Sequence, residues 1–478
     1  MPLFTALKKY ANEGKTSFHI PGHKDGAFVQ SEFLEFVGPN IFKIDATEVP
    51  GLDDLHQANV AIKEAQMLWA SLCNADQSFF LVNGTSAGII AGLTTIASNG
   101  EEILIPRNSH KSVYMSLIIS GAKPIYLQPE INIEDGYLGG INPEDVKKSF
   151  AANRNIKGIY IINPTYYGIC SDISEIIKIA HDNNAIAVCD EAHGCHMGFN
   201  NNLPIDGMMA GADMSFQSTH KMLGSFTQSS ILNLKSKNVD LAKLKFNLQM
   251  MQTTSPSYLL MASLDAQRAN IAMNGEKIFG ELYCLSEETR IKINNINGLR
   301  CLGKETIGIN SVYDYEPLRF VITARDLGIT GYELMEIMIN KFGIIPEFSD
   351  YYYCIFILGP GTKESDINKL TLALKKISDD KSVYKTKLEK SSIPPNIPKQ
   401  VLLPREAYFS KKEKIPWEKA KGRIMGEMII PYPPGIPAIC PGEIMSEEIY
   451  EYLDSIRALG RHIQGSESEK LEFVNVLK

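Results

Sequence analysis

Lys221 stands in the run DMSFQSTHKMLGSFTQSS (residues 213–230), directly after a histidine and among small hydroxyl residues. A solvated surface lysine needs no such company. A desolvated amine flanked by donors can attack an aldehyde and form a Schiff base, and small neighbours leave room beside it for a bound anion. Three other stretches offer matching chemistry. NGTSAG (83–88) follows an apolar run and opens a helical pattern, so its backbone N–H groups and helix dipole favour a phosphate, with Thr85 and Ser86 adding hydroxyls. Its spacing is neither that of a dinucleotide fingerprint nor that of a P-loop. VCDEAHG (188–194) puts Asp190 at the end of an apolar strand, where a charge is costly without a partner. A cationic ring nitrogen about 4 Å away would contribute about 4 kcal/mol at an effective dielectric near 20, or about three pKa units, enough to keep a pyridine protonated. His110 in PRNSHKS (106–112) offers an imidazole that could lie flat on an aromatic ligand. Each element also has a plain structural reading: a solvated lysine, a capped turn, a histidine bonded to backbone. Asp190, Glu191, His193 and His196 are the residue types of a metal cluster, but their spacing follows no familiar metal motif, and no metal is expected.

The elements that must position these residues come from the hydropathy pattern. Between about 78 and 232, short apolar runs alternate with helical segments, which predicts βα units around a mainly parallel sheet. The runs SFFLV, EILIP, GIYIIN, AIAVC and DMSFQ each end in polar residues, and ligands of such sheets bind beyond the carboxyl ends of the strands. A phosphate cup, a ring-stacking histidine, a pyridinium partner and an aldehyde-binding lysine, in that order, match one ligand, pyridoxal 5′-phosphate (PLP). Residues 315–378 read as a small α+β domain whose first helix is capped by Thr330. Residues 379–400, charged and proline-rich, read as a connection, and the prolines of GRIMGEMIIPYPPGIPAICPGE exclude a helix and predict a fixed loop. The expected division is an N-terminal segment (1–50), a large PLP-binding domain (51–300), the small domain (301–385) and a C-terminal domain (386–478).

Composition sets the outer bounds. A chain of 478 residues, 44% hydrophobic, is long enough for two or three domains. A net charge of −7 gives no footprint for nucleic acid or an anionic membrane and suits a small cationic substrate. Eight scattered cysteines without a CxxC pair predict reduced thiols, and the polar amino terminus lacks a signal-peptide core, so a soluble cytoplasmic protein is expected.

FHIPGHKDG, NGTSAG, PRNSHKS, NPTYYG, DEAHG, STHKMLGSFTQSS, TTSPSYLLMASLD and GEMIIPYPPGIPAICPGE together resemble the ornithine/lysine/arginine decarboxylases, PLP enzymes of the aspartate aminotransferase fold (fold type I). The chain is most similar to the short bacterial biosynthetic arginine decarboxylases, since it begins near the PGHK segment without the flavodoxin-like domain of longer members. The resemblance implies that Lys221 carries the cofactor, Asp190 pairs with the pyridine nitrogen and His110 stacks on the ring. Gly84, Thr85, Ser86, Ser218 and His220 then surround the phosphate, with His193 also against the cofactor. Ala87 stands where longer members carry a hydroxyl residue, so a phosphate contact there comes from backbone alone. The resemblance further implies a homodimer with active sites at the interface, TTSPSY (253–258) reaching the partner's cofactor, the PYPPGIP loop near the substrate channel, and Glu427 and Glu443 as substrate residues. The implied activity is decarboxylation of a basic amino acid, arginine to agmatine in polyamine biosynthesis, with lysine or ornithine as alternatives. Another PLP lyase or an aminotransferase, with Arg405 or Arg423 for a second carboxylate, stays open, as does a catalytically silent PLP-binding regulator. Asp53 and Asp54 of EVPGLDDLH are further candidates for the distal cation, or else parts of a capped turn.

Overall fold

The computed structural model describes residues 1–380, 382, 388, 396–431, 435–458, 460 and 462–478. The strands that matter for function are β1 (Gln77–Leu81), β2 (Glu102–Pro106), β3 (Lys123–Leu127), β4 (Ile156–Ile162), β5 (Ile186–Glu191), β6 (Met214–Gln217) and β7 (Ser230–Leu234). The helices that matter are α1 (Ala61–Leu72), α2 (Gly84–Ile96), α3 (Lys111–Ser120), α4 (Thr219–Met222) and the 37-residue α5 (Tyr258–Asn294). These strands and helices form an α/β fold whose strand pairs are mainly parallel.

The chain sorts into two compact units. One comprises residues 1–95, 188–201 and 205–279. Within it β1 pairs antiparallel with β7, β7 antiparallel with β6, and β6 parallel with β5. Strands β5, β6 and β7 are buried nearly throughout, as strands covered on both faces must be, and their polar residues bond to one another across the sheet. Helix α2 lies hard against them because two of its residues lack a side chain. A Cβ on Gly88 would stand 2.5 Å from Leu81 Cδ1, and one on Gly92 2.5 Å from Phe216 Cζ. That approach sets where the first turn of α2 sits relative to the ends of β1 and β6.

The second unit comprises residues 96–187, 202–204 and 280–478. Here β2 pairs in parallel with both β3 and β4. The expected small α+β fold is present as a four-stranded antiparallel sheet (Arg300–Cys301, Arg319–Thr323, Cys354–Ile357, Phe348–Ser349) with helices Gly331–Phe342 and Glu364–Asp379. Thr330 caps the first helix in a full capping box: its hydroxyl accepts from Glu333 N at 3.1 Å, and the Glu333 carboxylate accepts from Thr330 N at 2.9 Å. The C-terminal residues build their own core around Trp417, Met425, Ile429, Ile439 and Val476. Among the described residues, the proline-rich 422–443 stretch contains no helix and is tied by bridges such as Met425–Val476 and Ile429–Ile439. Residues 432–434 of the PYPPGIP loop lie outside the described residues, as do 381, 383–387 and 389–395 of the expected connection.

Candidate active site

Parallel pairing of β5 with β6 sets Asp190 opposite Phe216 and Glu191 opposite Gln217, so the two strands end side by side. The chain leaves β5 through Ala192 and His193 and leaves β6 through Ser218 into the short helix α4, which carries His220 and Lys221. Register alone therefore brings Lys221 Nζ to 3.0 Å from His193 Nε2. An ammonium can only donate, so His193 Nε2 is the acceptor and the ring proton of a neutral His193 belongs on Nδ1. Lys221 is exposed and His193 buried. Asp190 is buried at the strand end, where Oδ1 accepts from Ala192 N at 2.9 Å.

The NGTSAG segment becomes the first turn of α2, entered through Gly84 at φ +76°. Thr85 is buried and Ser86 exposed; the Thr85 hydroxyl lies 2.6 Å from Ser218 Oγ and 2.9 Å from Ser230 Oγ. Ala87 is buried and offers backbone only. His220 Nδ1 donates to the Ser229 carbonyl at 2.8 Å, and burial lowers its pKa from the ordinary histidine value. Ser225 and Ser229 bond to one another at 2.7 Å, and Thr219 lies 2.8 Å from Ser225, so the small hydroxyl residues around Lys221 form a web under α4. Thr85, Ser218, Asp190, His193, His220 and Lys221 thus all belong to one compact unit. Ser230 was missed by the sequence reading, although it closes the same quoted run.

His110 belongs to the second unit, where it caps α3 and its Nδ1 lies 2.9 Å from Ser112 Oγ. Three residues earlier, Arg107 makes an ion pair that the sequence reading also missed. Its guanidinium reaches Glu443 Oε2 at 3.0 Å and the Ala438 carbonyl at 3.1 Å, and it lies over the rings of Tyr114 and Tyr126 at 5.4 and 5.1 Å. Both charges are buried. Burial raises the Glu443 pKa while Arg107 pulls it down, and Cys440 N adds a hydrogen bond at 2.7 Å. The signal was available: a charge at the end of an apolar strand needs a partner, as argued for Asp190. The same C-terminal residues hold α3 at both ends, Gln464 bonding Lys111 at 2.9 Å and Arg405 donating to the Ile118 carbonyl at 3.2 Å. Arg405, named above for a second carboxylate, is engaged there. Arg423 bonds Glu413 at 2.6 Å. Glu427 is held by Ser466, Glu467 N, Asn475 N and the Asn475 side chain at 2.9–3.3 Å.

The residues put forward as metal ligands are engaged separately. Glu191 is fully buried, accepting from Gly207 N and from Gln217 Nε2 (2.9 Å). Gln217 in turn accepts from Asn233 (3.1 Å), which accepts from Ser78 (2.6 Å), giving a polar ladder across β5, β6, β7 and β1. Burial, and next the charge of Asp206, raise the Glu191 pKa well above the carboxylate range. Among the described residues no group of three or more His, Cys, Asp or Glu side chains could hold a metal ion. Asp53 proves to be the cap of α1: its carboxylate accepts from the backbone N–H of Asp54, Asn59, Val60, Ile62 and Lys63 at 2.8–3.3 Å. The capped-turn reading of EVPGLDDLH therefore holds for Asp53, while Asp54 accepts from His56 N at 2.8 Å. Tyr258 is buried with its hydroxyl on the Asp53 carbonyl, which leaves Thr254 and Ser255 as the exposed residues of TTSPSY.

Comparison with solved structures places the fold. Lysine decarboxylase A from Pseudomonas aeruginosa superimposes with a TM-score of 0.87 at 23% identity, covering 100% of this chain and 80% of that one. Ureidoglycine-glyoxylate aminotransferase from Bacillus subtilis gives 0.55 at 13% identity over 69% of this chain and 87% of its own. The architecture is thus the aspartate-aminotransferase-like fold. The Orn/Lys/Arg decarboxylase major domain matches residues 1–366 and the corresponding C-terminal domain residues 386–471. Arginine decarboxylase of Bacillus subtilis (strain 168) is 40% identical over 478 residues, covering 100% of this chain and 98% of the relative. Inducible lysine decarboxylase of Escherichia coli (strain K12) is 28% identical over 98% of this chain and 79% of its own length. The chain belongs to the Orn/Lys/Arg decarboxylase family and is an amino-acid decarboxylase.

Proposed function

We propose that the enzyme decarboxylates arginine to agmatine with PLP held on Lys221, as a cytoplasmic homodimer. The observation that carries the reading is the gathering of Lys221, Asp190 and the Thr85–Ser218 hydroxyl pair at the strand ends of one compact unit. This donor set fits the cofactor: the first turn of α2 with Thr85, Ser86, Ser218 and His220 suits a phosphate, Asp190 a protonated ring nitrogen, and Lys221 an aldehyde. Arginine is favoured because the Bacillus subtilis arginine decarboxylase matches at 40% over the whole chain, against 28% for the Escherichia coli lysine decarboxylase. Exposed Phe18 (94%), Phe28 (86%) and Phe36 (90%) support burial against a second copy, and eight cysteines outside any disulfide suit a reducing compartment.

When bound, PLP supplies the sink for the electron pair left behind as CO₂ departs. The remaining work falls to the chain. His193 Nε2, 3.0 Å from the amine, is placed to accept the proton that Lys221 must lose before it can attack a carbonyl carbon. Asp190 would hold positive charge at the ring nitrogen of the bound cofactor, a stabilisation that would grow as negative charge develops in the transition state. His110, steadied by Ser112, is assigned to the ring face. The partners of Glu427 and Glu443 support a scaffold role for both rather than recognition of the distal cation.

The test is CO₂ release by the purified protein from arginine, lysine and ornithine, with keto-acid formation measured alongside. Arginine is expected to give the highest kcat/KM, and Lys221→Ala is expected to abolish turnover. Preferred use of lysine or ornithine overturns the substrate assignment, keto-acid formation overturns decarboxylation, and undiminished turnover by Lys221→Ala overturns the site.

A further inference from the structure

The last strand residue pair of β1 and β7 is Leu81 with Ser230, so the ladder stops one residue short of Val82, from which the chain turns through Asn83 into Gly84 and the first turn of α2. A backbone at such a point has an N–H and a C=O to satisfy, and if either is loose the turn that follows is loose too. Two glutamine side chains take both. Gln252 Oε1 accepts from Val82 N at 2.8 Å while its Nε2 donates to the Phe80 carbonyl at 3.4 Å, so this side chain imitates one more strand on the far edge of β1. On the β7 side, Gln228 Nε2 donates to the Val82 carbonyl at 2.5 Å, where a continuing strand would have presented a backbone N–H.

Gln228 reaches that carbonyl only because its own backbone has left the strand. Its φ is +85°, a region that residues with a Cβ rarely adopt and that costs about 1–3 kcal/mol in general. The same kink brings the Gln228 carbonyl oxygen to 3.8 Å from where a Cβ on Gly84 would stand. Ser229 and Ser230 follow directly; the first takes the His220 imidazole on its carbonyl and the second takes the Thr85 hydroxyl. Gln252 also precedes Thr253, whose N–H donates to Asn83 Oδ1 at 3.4 Å.

We infer that Gln228 and Gln252 form a bracket around Val82 that positions the phosphate-binding turn Gly84–Ser86, with Gln228 kept in a strained conformation to supply the donor. Both are positioning residues, acting on the anion through the backbone of residues 82–84. The inference rests on the PLP reading and adds to it which residues hold the phosphate end.

The experiment compares equilibrium binding of PLP and of pyridoxal, which lacks the phosphate, to the apo form of the full chain, together with the apo melting temperature. Gln228→Gly removes the donor while relaxing the backbone; Gln228→Glu keeps the size but turns an acceptor toward the Val82 carbonyl. Both variants are expected to raise the PLP dissociation constant about tenfold or more, the loss expected of about one good hydrogen bond. Pyridoxal binding is expected to change less than about twofold, and the Gln228→Gly melting temperature by no more than a few degrees. Gln252→Ala is expected to shift the same ratio in the same direction. Equal weakening for PLP and pyridoxal, or unchanged PLP binding, overturns the bracket. A wild-type chain that binds PLP no better than pyridoxal is a different result, and it overturns the phosphate cup itself.

Discussion

Replacing Arg107 by Met strips Glu443 of its counterion in a site where both side chains are buried. At 3.0 Å and an effective dielectric near 20, the pair's attraction is about 5 kcal/mol. Desolvation offsets much of that in the intact pair, but a lone buried charge keeps the penalty and loses the compensation, so a cost of about 3–5 kcal/mol is expected for Arg107→Met and for Glu443→Leu singly. The double variant places two apolar side chains together and is expected within about 1–2 kcal/mol of wild type, giving a large coupling energy in the cycle. Glu443 has a partial escape: burial already raises its pKa, and without Arg107 it rises further. A raised carboxyl pKa means the folded state holds a proton the unfolded chain gives up, so stability is lost as pH rises through the folded value. Arg107→Met should therefore be less damaged at acidic pH than at alkaline pH. The assay is urea unfolding followed by Trp417 fluorescence in a Trp69→Phe background, since Trp417 lies in the C-terminal core and Trp69 in the other unit. Single-variant costs below about 1 kcal/mol, or strict additivity in the double variant, would refute the anchoring argument. A Glu443→Leu enzyme of normal stability with a raised KM for arginine would return Glu443 to the substrate.

Three further outcomes follow from the site. Asp190→Asn is expected to lower kcat about a thousandfold, the equivalent of about 4 kcal/mol of lost charge stabilisation; a near-normal kcat excludes the electrostatic role. Glu191, its folded pKa raised by burial and then by Asp206, contributes stability that falls as pH climbs above the ordinary carboxylate range. Glu191→Gln should flatten the fall of the urea midpoint with rising pH above the ordinary carboxylate range, and an unchanged slope would show that Glu191 does not carry it. His220, depressed by burial, is protonated in the unfolded chain before the folded one as pH falls, so its contribution is lost below about pH 6.5. Its ring resonances should titrate with a midpoint below that value, and a midpoint above it contradicts the buried, carbonyl-bonded ring.

The runs SFFLV, EILIP, GIYIIN, AIAVC and DMSFQ became β1, β2, β4, β5 and β6, and Thr330 its capping box, because each is specified by neighbours only a few residues away. The gathering of Lys221, Asp190, Thr85 and Ser218 was legible for a similar reason: each sits at the polar tail of an apolar run, and such tails come together at the strand ends. What escaped were pairings between remote positions. Arg107 and Glu443 are 336 residues apart, so only the packed C-terminal core could join them.

From the sequence alone came the strands, the caps, the candidate residues and the cofactor proposed for them, all read from side-chain type and short-range periodicity. The fold decided what each carboxylate contacts. It placed Asp190 and Glu191 on opposite sides of one strand, spent Asp53 on five backbone donors, and seated His193 against Lys221. Those outcomes depend on strand register and on burial, and neither exists until segments far apart in the chain have packed together.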